Sequence, residues 1–211
     1  MLGAIKNMEG GMPPITTTWC VILVASIALF QYHPEYKKDL ALHWGKVLKE
    51  GEYWRCVTTF LCFGGKFGTG KLIDLFLIST SSARLEAESP IRFLLSSLLC
   101  CAGLLYVDYK RLLFWQRHPW MSHGLTLSLI ATSSWAHPFK LTTLAPLPLP
   151  PFPSWLLPPI LCAQSCLLFG SSWKAMLAPV AVSLPCHVAL LLLQEAFPAI
   201  GRPLSLFGLG G

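Results

Sequence analysis

The sequence predicts an all-α, multi-pass membrane protein with six spans and a loop after the first span that dips into the membrane. Three observations lead there. Hydrophobic residues make up 54 % of the 211 and charged residues only 12 %. A soluble domain carries about twice that share of charge, and one of this size could not cover its surface with so few polar groups. Mean hydropathy is +0.56, so lipid must do the covering. Finally, uncharged stretches approaching the length that crosses a bilayer recur along the chain. An ordinary cytosolic enzyme and a disordered regulator are excluded.

The spans follow in order. No cleavable leader is expected, because Lys6 is followed by Asn7, Glu9, two glycines and two prolines rather than by an apolar core. Residues 10–34 carry no charge and centre on 19–30, which is span one. Residues 72–83 carry only Asp74 and form a short span two. Residues 93–107 form span three, and 118–139 form span four. The uncharged stretch 141–173 is crowded with prolines. Its first half, through Pro153, cannot be helix, because proline lacks the amide donor and clashes with the preceding turn, so span five is 155–169. Span six is 175–194, bent by Pro179 and Pro185. Spans two, three and five are expected to be short, about 20 Å against about 30 Å of hydrocarbon.

The net charge is +6, yet a headgroup-facing loop accounts for it better than nucleic acid does, since the basic residues lie between apolar stretches. The loops after spans one, three and five hold eleven Lys and Arg against five elsewhere, which by charge alone would put the N-terminus outside the cytosol. The eight cysteines fall mostly inside apolar runs, with no paired Cys-x-x-Cys metal motif. Neither a metal nor another cofactor is expected.

Several residues carry candidate chemistry. Arg55, beside Trp54, can bond backbone carbonyls and lock a loop; a snorkelling Arg beside a belt Trp is the plainer alternative. Asp74 lies inside span two. It lines a polar groove or pairs with Lys71, one turn earlier. His123 opens span four, and His187 lies in span six and needs an interior partner. Ser122 and Ser128 raise an intramembrane serine protease with His187, but neither sits in a nucleophile turn. Arg84, Glu86 and Glu88 end span two, with their charges expected in the headgroups.

Taken together, these pieces resemble the Derlin family of rhomboid pseudoproteases. Pro13-Pro-Ile-Thr-Thr-Thr-Trp19 is similar to that family's lead into span one. Trp54-Arg55-x-x-Thr58-x-Phe60, ending in Phe63-Gly64, resembles its loop motif, and Arg84-Leu-Glu86 the end of its second span. Gly124 stands eleven residues before Trp135, where a proteolytic rhomboid has its serine. Phe169-Gly170 and His187 resemble its fifth and sixth spans. Phe197-Pro198-x-x-Gly201-Arg202 resembles its post-span signature. Where the family carries Gly-x-x-x-Gly-His, this chain has Val182-Ser-Leu-Pro-Cys-His187, and its C-terminal tail is short, with 207–211 a faint echo of an ATPase-binding box.

The resemblance implies a single rhomboid-like six-helix domain over 1–211 in the endoplasmic reticulum membrane. It also implies a cytosolic N-terminal segment, 1–15, and a cytosolic tail, 196–211. It implies no enzyme activity, but a role in moving misfolded lumenal and membrane proteins to the cytosol for degradation. Misfolded clients, a ubiquitin ligase complex and a cytosolic AAA ATPase are the implied partners, in a homo- or hetero-oligomer. Asp74, His123 and His187 would line a polar groove shaped by the loop motif, and short spans would thin the bilayer. Two alternatives are a paralogue retasked for protein import across a plastid membrane derived from the endoplasmic reticulum, and an active intramembrane serine protease.

Overall fold

The computed structural model describes residues 12–64, 68–110, 120–142, 151–169 and 173–197. Helix α1, Pro14–Tyr32, starts on a proline, where the missing amide is one the helix would leave unused anyway. It closes with the His33 N–H on the Leu29 carbonyl at 2.8 Å, just before Pro34. The following loop folds into three short helices: α2 (Tyr36–Leu40), α3 (Trp44–Lys49) and α4 (Arg55–Leu61). Gly51, at φ +74°, makes the turn after α3, a conformation that strains residues with a Cβ. In the turn after α1, Glu35 is fully exposed. A backbone hydrogen bond, then His33 Nδ1 at 3.0 Å, hold its carboxyl below the usual range.

Helix α5, Thr69–Glu88, ends at extended Ser89, the conformation that a following proline favours. Pro90 at once opens α6, Pro90–Lys110. Next come α7 (Ser122–Ala136), the antiparallel pair β1 (Leu141–Thr142) and β2 (Phe152–Pro153), a 3-10 turn at Ser154–Leu156, α8 (Leu157–Phe169) and α9 (Trp173–Ala196).

Helix α7 sits at the centre. Eleven of its fifteen residues are buried, as expected of a helix packed on several sides. Against it and α6, the core gathers Phe60, Leu85, Phe93, Cys100, Leu104, Leu125, Leu129 and Val182. Leu127 and Ile130 turn to Leu161 and Cys162 of α8. Leu23, Phe63 and Ile78 join α1 to α5.

Among the described residues, three helices are long and apolar enough to cross a membrane: Pro14–Tyr32, Pro90–Lys110 and Leu177–Ala196. The expected span lengths need correction. The stretch expected as span two lies in the 20-residue α5 and that expected as span three in the 21-residue α6, so neither helix is short. The reading from uncharged stretches stopped at charges that α5 in fact carries, among them Lys71, Arg84 and Glu86. The short helices are α7, with 15 residues, and α8, with 13. At about 1.5 Å per residue they reach roughly 20 Å. Helix α9 runs through both of its prolines.

Candidate functional site

The loop motif is organised by one buried cation. The Arg55 residue is 2 % exposed. Its Nη1 donates to the carbonyls of Lys38 at 3.1 Å and Ala41 at 2.9 Å, while Nε pairs with Glu52. Its guanidinium lies 4.6 Å from the Trp54 ring centroid, within cation–π range. Thr58 Oγ1 donates to the Leu40 carbonyl at 2.9 Å. Arg55 and Thr58 thus tie α4 back to the end of α2, where loop carbonyls would otherwise lack partners. Arg55 is therefore a buried loop lock and does not snorkel. Burial pushes the neighbouring Cys56 thiol up from its ordinary range.

The motif reaches inward as well. Thr59, which the sequence reading passed over, accepts the Met121 N–H on both its carbonyl, at 2.9 Å, and its hydroxyl, at 3.1 Å. Phe60 enters the main core. Gly64 lies against the Trp120 indole so closely that a Cβ would overlap its Cδ1 edge. Trp120 also meets Phe30 at 5.1 Å between centroids. Loop, α1 and the start of α7 are therefore one packed unit.

Beside that unit, Asp74 of α5 bonds His123 of α7 at 2.9 Å. Lys71 Nζ lies 3.8 Å from the other Asp74 oxygen and 4.9 Å from the Phe63 ring. Asp74 thus pairs with Lys71, one of its two readings, and also joins α5 to α7 through His123. The side chains of Asp74 and His123 are 11 % and 26 % exposed, so the pair is largely, but not wholly, enclosed.

Gly124 stands one residue on. A Cβ there would meet Pro179 Cγ at 3.5 Å and Leu104 at 3.8 Å, ordinary contact distances. Ser128 Oγ donates to the Pro179 carbonyl at 2.9 Å, and Trp135 Nε1 to Ser183 Oγ at 3.1 Å. These bonds fasten α7 to α9. The expected grouping of His187 with Asp74 and His123 needs correction. Pro179, not His187, faces Gly124, and His187 lies eight residues further along α9, about 12 Å at helical rise. Neither Ser122, at the start of α7, nor the committed Ser128 hydroxyl forms a dyad with it. Among the described residues His187 Nδ1 has no hydrogen-bond partner.

At the opposite end of α5, Glu86 is buried and not in the headgroups as expected. It accepts the Ile15 N–H at 2.9 Å and, on its other oxygen, both the N–H and the hydroxyl of Thr16 at 2.7 Å. Three carboxylate bonds at a helix start satisfy amides that α1 leaves open and complement its dipole. Trp44 Nε1 donates to buried Asp108 at 2.6 Å, joining α3 to α6. Among the described residues no three His, Cys, Asp or Glu side chains cluster as metal ligands. Gly201, Arg202 and the 207–211 tail lie outside the described residues.

The profile of the Der1-like family matches residues 12–198, which include the loop motif, Glu86, Gly124 and Trp135. The chain belongs to the Der1-like family. It is 28 % identical over 132 residues to an uncharacterized derlin-like protein of Schizosaccharomyces pombe. That similarity covers 60 % of this chain and spans 65 % of the relative's length. In this Der1-like chain the family resemblance noted from Trp54, Arg55, Thr58 and Phe60 falls on residues that bond or pack together.

Proposed function

We propose that this Der1-like chain is a non-proteolytic component of endoplasmic-reticulum-associated degradation, assisting misfolded lumenal and membrane proteins on their way to the cytosol. It acts as a multi-pass protein of six spans in the endoplasmic reticulum membrane, with both termini cytosolic. The Asp74–His123 pair carries this reading. It is an ionisable pair, partly open, at the end of a bundle where the Arg55 loop packs. Such a pair lowers the cost of bringing a polar backbone into apolar surroundings. The brevity of α7 and α8, rather than of spans two and three, supplies the local thinning. The protein provides a path; a cytosolic AAA ATPase and a ubiquitin ligase provide force and marking.

Proteolysis is not favoured. The rhomboid nucleophile position is Gly124, and the Ser128 hydroxyl is engaged by a backbone carbonyl. A test places a photoreactive residue at Lys71 or at Leu77 on α5, either side of Asp74 with the Asp74–His123 pair left intact, in the full-length protein, in cells making a misfolded lumenal reporter. Reporter adducts from both positions, above those from lipid-facing Leu98, support the path. Adducts no greater than at Leu98 would sink it.

A further inference from the structure

The β1–β2 pair, between α7 and α8, takes no part in the proposed path. Backbone bonds fix it to the helix ends. The Lys140 N–H donates to the His137 carbonyl at 3.2 Å, the Ser154 N–H to the Lys140 carbonyl at 2.9 Å, and the Trp155 N–H to the Pro138 carbonyl at 3.2 Å. Leu141 pairs with Pro153 and Thr142 with Phe152. Yet this anchored element turns apolar side chains outward. Phe139 is 83 % exposed, Leu141 66 % exposed and Trp155 about half that. Exposed Lys140 stands between the first two, and among the described residues it has no ion pair. The nearby Glu88 lies 3.9 Å from His137 instead.

The depth of this element says what covers it. Leu104 of α6 lies against Gly124 of α7, and Cys100 Sγ is 3.8 Å from Thr132 Oγ1, so the two helices run antiparallel. From the Cys100–Thr132 level, α6 runs back ten residues to its start at Pro90, whereas α7 runs on only four to its end at Ala136. At about 1.5 Å per residue, α7 stops roughly 9 Å inside the start of α6. Helix α6 is long and apolar enough to cross a membrane, so its start marks a membrane surface. The exposed apolar residues after α7 then lie at the depth where headgroups meet acyl chains. Aromatic rings suit that boundary, and a lysine there extends its ammonium out to the phosphates. A soluble partner would have to reach past the start of α6 to cover them.

We propose that the β1–β2 pair is a leaflet anchor. Phe139, Leu141 and Trp155 insert at the acyl–headgroup boundary, and Lys140 binds the headgroup of an anionic phospholipid, which holds the short α7 and α8 to one leaflet. This rests on the membrane setting of the proposed function and not on client passage, so its test needs no client. The full-length protein is placed in vesicles of equimolar phosphatidylcholine and phosphatidylserine. A small fluorophore replaces Phe139 or, as a second site, Leu141, and Leu98, midway along α6 and 65 % exposed, gives the depth reference. Quenchers are aqueous iodide and lipids with a nitroxide either near the acyl carbonyl or near the acyl end. Both sites after α7 should be quenched mainly by the carbonyl-level nitroxide, and the Leu98 site mainly by the deep one. Carried on phosphatidylserine, the carbonyl-level nitroxide should quench the Phe139 site at about one-fifth of the concentration needed on phosphatidylcholine, the worth of one lysine near an anionic surface. Lys140→Gln should remove that preference. Quenching by iodide rather than by lipid overturns the proposal. Shielding of both sites from every quencher overturns it too, since protein would then cover them, as does equal quenching by the two headgroups in the protein with Lys140 intact.

Discussion

Glu86 holds Thr16 by two bonds to one carboxylate oxygen, the backbone N–H and the hydroxyl, each at 2.7 Å. The two residues stand seventy positions apart in sequence and join the end of α5 to the start of α1. This contact is a helix cap made by a distant side chain, in the absence of any local cap on α1.

Removing it should therefore loosen the pairing of α1 with α5. Glu86→Ala leaves buried amides unpaired, at about 1–3 kcal/mol for such a group. Glu86→Gln keeps the shape but sets an amide donor against donors, so it should recover little. Thermal unfolding of the purified protein in detergent checks both, and a wild-type midpoint for Glu86→Ala would contradict the clamp.

Arg55 is held by two carbonyls and a carboxylate at once, a geometry that a planar fork meets and an ammonium does not. Arg55→Lys should behave like Arg55→Ala. Cys56 gives the readout. Its raised pKa leaves less thiolate at a given pH, so alkylation of a Cys56-only protein should be slow and rise late with pH. Loosening the loop should shift that pH profile down toward an ordinary thiol. An unchanged profile in Arg55→Ala would mean that the lock does not order α4.

Gly64→Ala should be strongly destabilising, because the new methyl competes with the Trp120 ring. Trp120→Ala should be costly as well, through the loss of its packing on Phe30. The double variant should lose less than the sum of the two. Unfolding midpoints of all four proteins form the cycle, and strict additivity would contradict direct contact.

Gly124→Ser places a hydroxyl where the proposed function sets the lost rhomboid nucleophile, with ordinary contacts to Pro179 and Leu104. The variant should accumulate normally and cleave no model transmembrane substrate, because His187 lies two turns away along α9. Cleavage measured by gel shift would show that the geometry permits a dyad.

The helices were partly legible beforehand. Helices α1 and α6 follow from uncharged stretches, and the prolines before Trp155 mark the entry to α8. Helix α5 was read short because charge was taken to end a span, whereas the Glu86 carboxyl is satisfied by hydrogen bonds from α1. That contact is long-range, and no periodicity announces it. Trp54 and Arg55 were singled out, yet only the packed loop distinguishes a lock from an interfacial pair. Thr59 and Trp120 gave no signal, since a threonine beside a motif and an isolated tryptophan fit many roles. His187 was expected to have an interior partner, yet among the described residues its Nδ1 has none, and its register on α9 could not be read from its own neighbours.

The most direct test of the central reading is a stability chase of a misfolded lumenal reporter in cells lacking this protein, rescued with wild type, Asp74→Ala or Arg55→Ala. The reporter should persist without the protein. Wild type should restore its turnover, and the two variants, checked for equal abundance, should not. Turnover unchanged by loss of the protein, or restored equally by all three, would contradict the account.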